Sequence, residues 1–172
     1  ILTGDDSEEG IDLFKKYQNK YSNFRVIDAN YEFNYSKINN QAVEAAKGEY
    51  IVLLNNDTEI ITPHWLQVMV GYAMQPHIGA VGAKLLYPDN TVQHAGIILG
   101  IGGIAQHCFI DNPREDVGFY GRLSVPFNYS AVTAACLMVS KEKYLEVNGL
   151  EEDLQVAFND VDFNLKLLKQ GY

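Results

Sequence analysis

The chain has 172 residues, 47% of them hydrophobic, and a formal net charge of −9 from 22 acidic against 13 basic side chains. That size suits one globular domain with a sizeable core. The acidic balance disfavours nucleic acid, whose phosphate backbone calls for clustered Lys and Arg. No run approaches the ~20 apolar residues of a membrane span, and the start carries no signal-peptide pattern. Cys108 and Cys136, the two cysteines, match no zinc or redox spacing and read as buried thiols in a reducing cytosol. An acidic chain can still hold a small phosphorylated ligand where a divalent cation reverses the local field.

After Ile1-Leu2, the stretch GDDSEEG offers a turn and a helix start, with Asp6 and Glu9 at capping-box spacing. Ile11, Phe14, Tyr17 and Tyr21 then share one helical face. FRVIDA (24–29) reads as a short strand. YSKINNQAVEAAKG reads as a second helix, with Ile38, Ala42 and Ala45 inward and Gly48 as its stop. YIVLL (50–54) lacks polar alternation, as a strand covered on both faces of a parallel sheet does. Thr62-Pro63 opens a third helix, which should run through Trp65, Leu66, Met69 and Ala73 to Gln75-Pro76.

This alternation of strand and helix is the α/β signature. From residue 78 onward, IGAVGAKLLY, a PDN turn and TVQHAGIIL suggest two further strands, paired with each other. Residues 100–128, rich in Gly and Pro, read as a long irregular loop. AVTAACLMVS (131–140) is another strand, followed by a short helix ending at Asn148-Gly149. A last helix over 160–170 carries Val161, Leu165 and Leu168 inward and stops at Gly171.

Ligands of open parallel sheets bind beyond the carboxyl ends of the strands. Asn55, Asn56 and Asp57 stand at such an end. A carboxylate there can hold Mg²⁺ or Mn²⁺, and the amides can meet a ribose or base; Asn and Asp are also ordinary turn residues. FNDVDF (158–163) is the second acidic spot. Asn159 is a fair N-cap, and Asp160 and Asp162 suit the helix dipole. Alternatively, one of the two acids serves as a general base, and only one can face a given site. GIGGIA (100–105) fits a dinucleotide-binding pattern but lacks the helix and the later acid that the pattern needs. His94 and His107 are candidate ligands or substrate contacts, although isolated histidines are more often structural. Lys37 places a cation near a helix N-terminus, which favours a bound anion.

In this order, DDSEEGIDLFKKY, NYSKINNQAVEAAKGEYIVLLNNDTEI, VGAKLLYPDNTVQHAGIILG, AACLMVSKEKYLEVNGLEEDL and FNDVDFNLKLLKQGY resemble the family 2 glycosyltransferases of the GT-A fold. The resemblance implies a mostly parallel central sheet flanked by helices, with a later mixed strand pair. Residues 1–77 would form the nucleotide-binding half and 78–172 the acceptor-side half of one domain. It implies Asp57 as the ligand of a divalent metal, Mg²⁺ or Mn²⁺, with Asn55 and Asn56 beside the donor. Asp5 or Asp6 would contact the nucleotide base, Lys37 would lie near the diphosphate, and Asp160 would be the catalytic base.

Two departures each remove a charge: Asn55 replaces the first Asp of the D-x-D motif, and Asn159 replaces the Glu of the Glu-Asp pair. The resemblance also leaves the family's first strand and helix, and a C-terminal segment that often carries a metal-binding histidine, outside this stretch. Such a sheet exposes unpaired backbone, so the piece alone is expected to be weakly active or inactive.

The expected function is inverting sugar transfer from a nucleoside-diphosphate sugar to a glycan hydroxyl, in bacterial surface polysaccharide synthesis. The expected location is cytoplasmic, any attachment to the inner face of the membrane being made by the parent protein. Two rivals stay open. A nucleotidyltransferase would show a Gly-rich basic phosphate loop early in its chain. A non-catalytic glycan- or partner-binding module is kept open by Asn55 and Asn159.

Overall fold

The computed structural model describes residues 2–3, 8–29 and 31–172. Strand β1 (Leu2–Thr3) pairs in parallel with β2 (Ile27–Asp28), and helix α1 (Glu8–Lys20) makes the crossover between them. Helix α2 (Tyr35–Ala45) follows, then β3 (Tyr50–Leu54), α3 (Trp65–Ala73) and β4 (Val81–Gly82). Two antiparallel pairs come next: β5 (Leu85–Leu86) with β6 (Val92–His94), and β7 (Ile97–Leu99) with β8 (Ala105–His107). The chain closes with β9 (Cys136–Ser140), α4 (Lys141–Glu146) and α5 (Asn159–Gln170).

The α/β layout matches expectation, and β9 organises it. It lies between β3 and β4 and runs antiparallel to both, so those two strands run parallel to each other. In YIVLL, Ile51 and Leu53 are buried on one face and Tyr50 and Val52 half-buried on the other, but Leu54 is exposed and the partner β9 is antiparallel. Leu137 and Val139 of β9 join Ile51, Leu53, Val43, Tyr144, Phe163 and Leu167 in one core. Cys136 and Met138 point the other way, against Met69 and Ala73 of α3. Double coverage therefore follows from helices on both sides, whatever the strand direction. Phe163, fully buried, packs on Tyr144 at a ring-centroid distance of 5.0 Å. Phe163→Ala should lower unfolding free energy by about 3–5 kcal/mol, read as a fall in urea midpoint; a loss under about 1 kcal/mol would move the core elsewhere.

Several local expectations shift. Helix α2 stops at Ala45 because Ala46 turns extended, not at Gly48. Lys141 Nζ donates to the freed carbonyls of Glu44 and Ala46, at 3.2 and 2.6 Å, a cation satisfying a helix C-terminus. The inward residues of α2 are Ser36 and Val43; Ile38, Ala42 and Ala45 are only half-buried. Helix α3 starts at Trp65, whose N–H bonds Thr62 O at 3.2 Å, with His64 rather than Thr62 at the cap. Ile11 and Tyr17 of α1, and Tyr21 just past its end, are exposed, and Asp6 of the expected capping box lies outside the described residues.

In α5 the cap is Phe158, in the left-handed region, and Asn159 is the first helical residue. Leu165 and Leu168 face solvent, while Phe163, Asn164 and Leu167 are buried. The stripe rotated because Asn164 goes inward: its amide donates to Val132 O at 3.0 Å and Asp160 O at 2.7 Å. Residues 100–128, expected as irregular loop, contain β8 and a short 3-10 turn at Phe119–Gly121. Both cysteines are buried free thiols.

Candidate active site

Where β3 ends, the Asn55 N–H still donates to Ala135 O, at 2.9 Å. The chain then turns, and Thr58 Oγ1 closes the turn on Asn55 O at 2.8 Å. Asn55 is half-buried, while Asn56 and Asp57 stand exposed on the turn.

The second acidic spot is held more tightly. Asp160 Oδ2 accepts from the Ala134 N–H at 3.2 Å, and Oδ1 from the Val161 N–H at 2.8 Å. A carboxylate has about four lone-pair sites, so roughly two remain for a substrate. Asp160 lines a cavity of about 270 Å³ with Phe158, Asn159, Gln106 and His107. Asp162 is turned away and lies 2.8 Å from Lys166 Nζ, an ion contact off hydrogen-bond alignment. The two acids diverge, as their spacing on a helix requires.

One dipeptide joins these places. Ala135 O holds the start of the Asp57 turn, Ala134 N–H holds Asp160, and Ala134 O accepts from Tyr35 Oη at 3.0 Å. The end of β3 and the head of α5 therefore meet at one end of β9. Burial, aided by the Asp160 charge, pushes the Tyr35 hydroxyl up to about 12, so it stays a donor.

Lys37 sits in the first turn of α2, capped by Asn34 Oδ1 at 2.9 Å. Its ammonium rests 4.3 Å from the centre of the Tyr31 ring, a cation–π contact. Asp5 and Asp6 lie outside the described residues. A second, larger cavity of about 890 Å³ lies between α3, residues 122–129 and the end of α5, and holds neither Asp57 nor Asp160. Of the two cavities, the smaller is the one that Asp160 lines, and the β3 turn with Asp57 lines neither.

Sequence reasoning passed over Tyr35 and undervalued the histidines. His94 Nδ1 and His107 Nδ1 lie 2.9 Å apart. Reading GIGG as a hairpin turn would have set His107 opposite Ile97, close in sequence to His94. Gly96 brings His94 to the hairpin: its φ is +113°, and a Cβ there would stand 2.3 Å from the Tyr129 ring.

His94 is 1% exposed. Burial, reinforced by His107, lowers its pKa from 6.5 to about 3. The folded ring thus refuses a proton that the unfolded ring takes below about 6.5. Stability from this source is complete above that pH and drains away as pH falls toward 3. The total is on the order of a few kcal/mol. In His94→Gln, the decline of the urea midpoint between pH 6.5 and 4 should be shallower than in the native protein. An identical decline would remove His94 from the acid response.

For a divalent ion, the Asp57 carboxylate and the Asn55 and Asn56 carbonyls are hard oxygen donors on an exposed turn. That set fits Mg²⁺ or Mn²⁺, which are bound by one or two carboxylates with water and phosphate completing the shell. Among the described residues, no group of three or more His, Cys, Asp or Glu could enclose a metal without such ligands.

The model of glycosyl transferase family 2 matches residues 1–143. The chain belongs to this family. The matched span contains Asp5, Asp6, Lys37 and Asn55–Asp57 and stops short of Asp160. Among relatives of this family 2 domain, the uncharacterized protein y4gI of Sinorhizobium fredii is 44% identical over 173 residues, 100% of this chain and 19% of its own length. The O-antigen biosynthesis protein RfbC of Myxococcus xanthus is 42% identical over 146 residues, 81% of this chain and 11% of its own. The chain thus spans a fifth or less of these curated relatives. The mannosyltransferase PcManGT of Pyrobaculum calidifontis, solved with GDP-Man and Mn²⁺, superposes with a TM-score of 0.68 at 15% identity, over 99% of this chain and 42% of its own. That match shows the GT-A fold.

Proposed function

We propose that this glycosyltransferase domain moves a sugar from a nucleoside-diphosphate donor to a hydroxyl of a glycan acceptor, with inversion, in bacterial surface polysaccharide synthesis. The observation that carries the reading is the meeting of the Asn55–Asp57 turn and the Asp160 carboxylate across Ala134-Ala135. Leaving-group and acceptor chemistry need that adjacency. Support for the donor comes from PcManGT, which holds GDP-Man with Mn²⁺; support for the setting comes from RfbC, an O-antigen biosynthesis protein.

In this reading residues 1–77 form the donor side, with Asp5 or Asp6 toward the base and Lys37 toward the diphosphate. Residues 78–172 form the acceptor side. Asp57, assisted by Asn55 and Asn56, would hold a divalent ion, which when bound supplies charge neutralisation for the departing diphosphate. Asp160, fixed by its two backbone N–H donors, takes the proton of the acceptor hydroxyl through a free lone pair as that oxygen attacks the anomeric carbon. The pre-set carboxylate needs no reorganisation, and positioning contributes much of the rate. No helix among the described residues is long and apolar enough to cross a membrane; a cytoplasmic site, with any membrane contact made elsewhere in the parent protein, fits a nucleotide-sugar user. A screen of UDP-, GDP- and dTDP-sugars on the full-length protein, read as nucleotide release, tests the proposal. Release of inverted glycoside product supports it; no consumption of any donor overturns it.

A further inference from the structure

Buried His94 and half-buried His107 form a pair to which the proposed reaction gives no role, and His107 lines the cavity of Asp160. Their rings meet edge to face, 80° apart, through the two Nδ1 atoms. Two ring nitrogens at 2.9 Å require one hydrogen between them. The other nitrogen of His94, Nε2, faces the Thr133 backbone N–H at 3.4 Å. Two donors cannot face each other, so this Nε2 carries no hydrogen. The proton of His94 therefore sits on Nδ1 and is donated to His107 Nδ1. Neutral His107 must then carry its own hydrogen on Nε2. The neutrality imposed on His94 by burial agrees with this order, because a cationic ring would present a hydrogen to Thr133.

His107 and Asp160 line the same cavity of about 270 Å³. The lining thus includes one residue whose hydrogen is set on Nε2 and one that bears a carboxylate acceptor. Gln106 and Asn159 add amides, and Phe158 and Val161 add apolar surface. A polyhydroxylated ring with an apolar face suits that lining, since orientation comes from a few placed polar groups. We propose that His107 binds a second hydroxyl of the acceptor sugar through Nε2–H, with His94 as the positioning residue that holds the tautomer. The inference rests on the sugar-transfer reading, with Asp160 meeting the reacting hydroxyl.

Long-range ¹⁵N–¹H correlation spectra of the intact protein labelled at histidine test the tautomers first. The expected result is hydrogen on His94 Nδ1 and His107 Nε2; hydrogen on His107 Nδ1 overturns the inference. Titration with methyl glycosides of glucose, galactose, mannose and rhamnose then serves as the probe. At least one should shift the His107 Nε2 signal, and His107→Ala should weaken its Kd about tenfold, the worth of one hydrogen bond. His94→Leu, which frees the tautomer, should weaken it as well. His94→Gln should restore it, since its amide can accept from Thr133 and donate to His107. Failure of every glycoside to move His107, or an unchanged Kd in His107→Ala, also overturns the inference. Nucleotide-sugar turnover is scored separately. Glycoside binding without turnover removes the transfer reading and leaves the sugar site, whereas turnover with the wrong tautomer removes only the histidine assignment.

Discussion

Asp160→Asn should lower kcat by about 10²–10⁴-fold, the usual worth of a general base, while donor affinity stays unchanged. The substitution keeps the shape of the side chain and removes its ability to take a proton. It also disturbs the local bonding, because both carboxylate oxygens accept from backbone N–H groups, of Ala134 and Val161. Asparagine has only one acceptor oxygen, so its NH₂ must face one of those donors. A stability loss of about 1–3 kcal/mol follows, and the variant must be assayed well below its melting temperature. Steady-state kinetics separate the outcomes. A fall in kcat with donor Kd retained assigns the base, and unchanged turnover removes the assignment. A parallel loss of donor binding would show that Asp160 serves the fold instead.

Asp57→Ala should abolish Mn²⁺-dependent donor binding. Because Asp57 is exposed on a turn closed by Thr58 and Asn55 rather than by its own carboxylate, the variant should fold normally. Titration calorimetry with UDP and GDP, each in MnCl₂ and in EDTA, isolates the metal-linked part of the affinity. Residues one step removed from a metal contribute about 10–100-fold to its binding, so a direct ligand should exceed about 100-fold. The substitution of Asn for the first acid of the motif makes this test sharper, since Asn55 brings no charge that could compensate. Equal affinity in Mn²⁺ for the native and variant proteins would move the metal away from the β3 turn.

Much of this domain was legible before any coordinates. The α/β alternation, the bounds of YIVLL, Gly171 ending the last helix and the divergence of Asp160 from Asp162 all follow from local rules: periodicity, terminators and helix geometry. What failed locally did so where distant residues intervened. Lys141, nearly a hundred positions away in sequence, satisfies the end of α2. Asn164 turned inward because Val132 O needed a donor, and no hydrophobic pattern announces such a need.

The candidate site divides along the same line. Sequence alone determined which residue types were present at the strand end and helix head, because a buried apolar run must stop and a helix N-terminus welcomes acids. It also carried the ordered motifs by which the family is recognised. Only the tertiary structure decided that Asn55 and Asp160 share Ala134-Ala135, that His107 joins Asp160 in one cavity, and that His94 sets the direction of hydrogen bonding between the two rings. Those relations arise when an antiparallel strand from late in the chain is inserted between two earlier ones. Such pairing is set by long-range packing and backbone hydrogen bonding, for which one-dimensional spacing holds no coordinate.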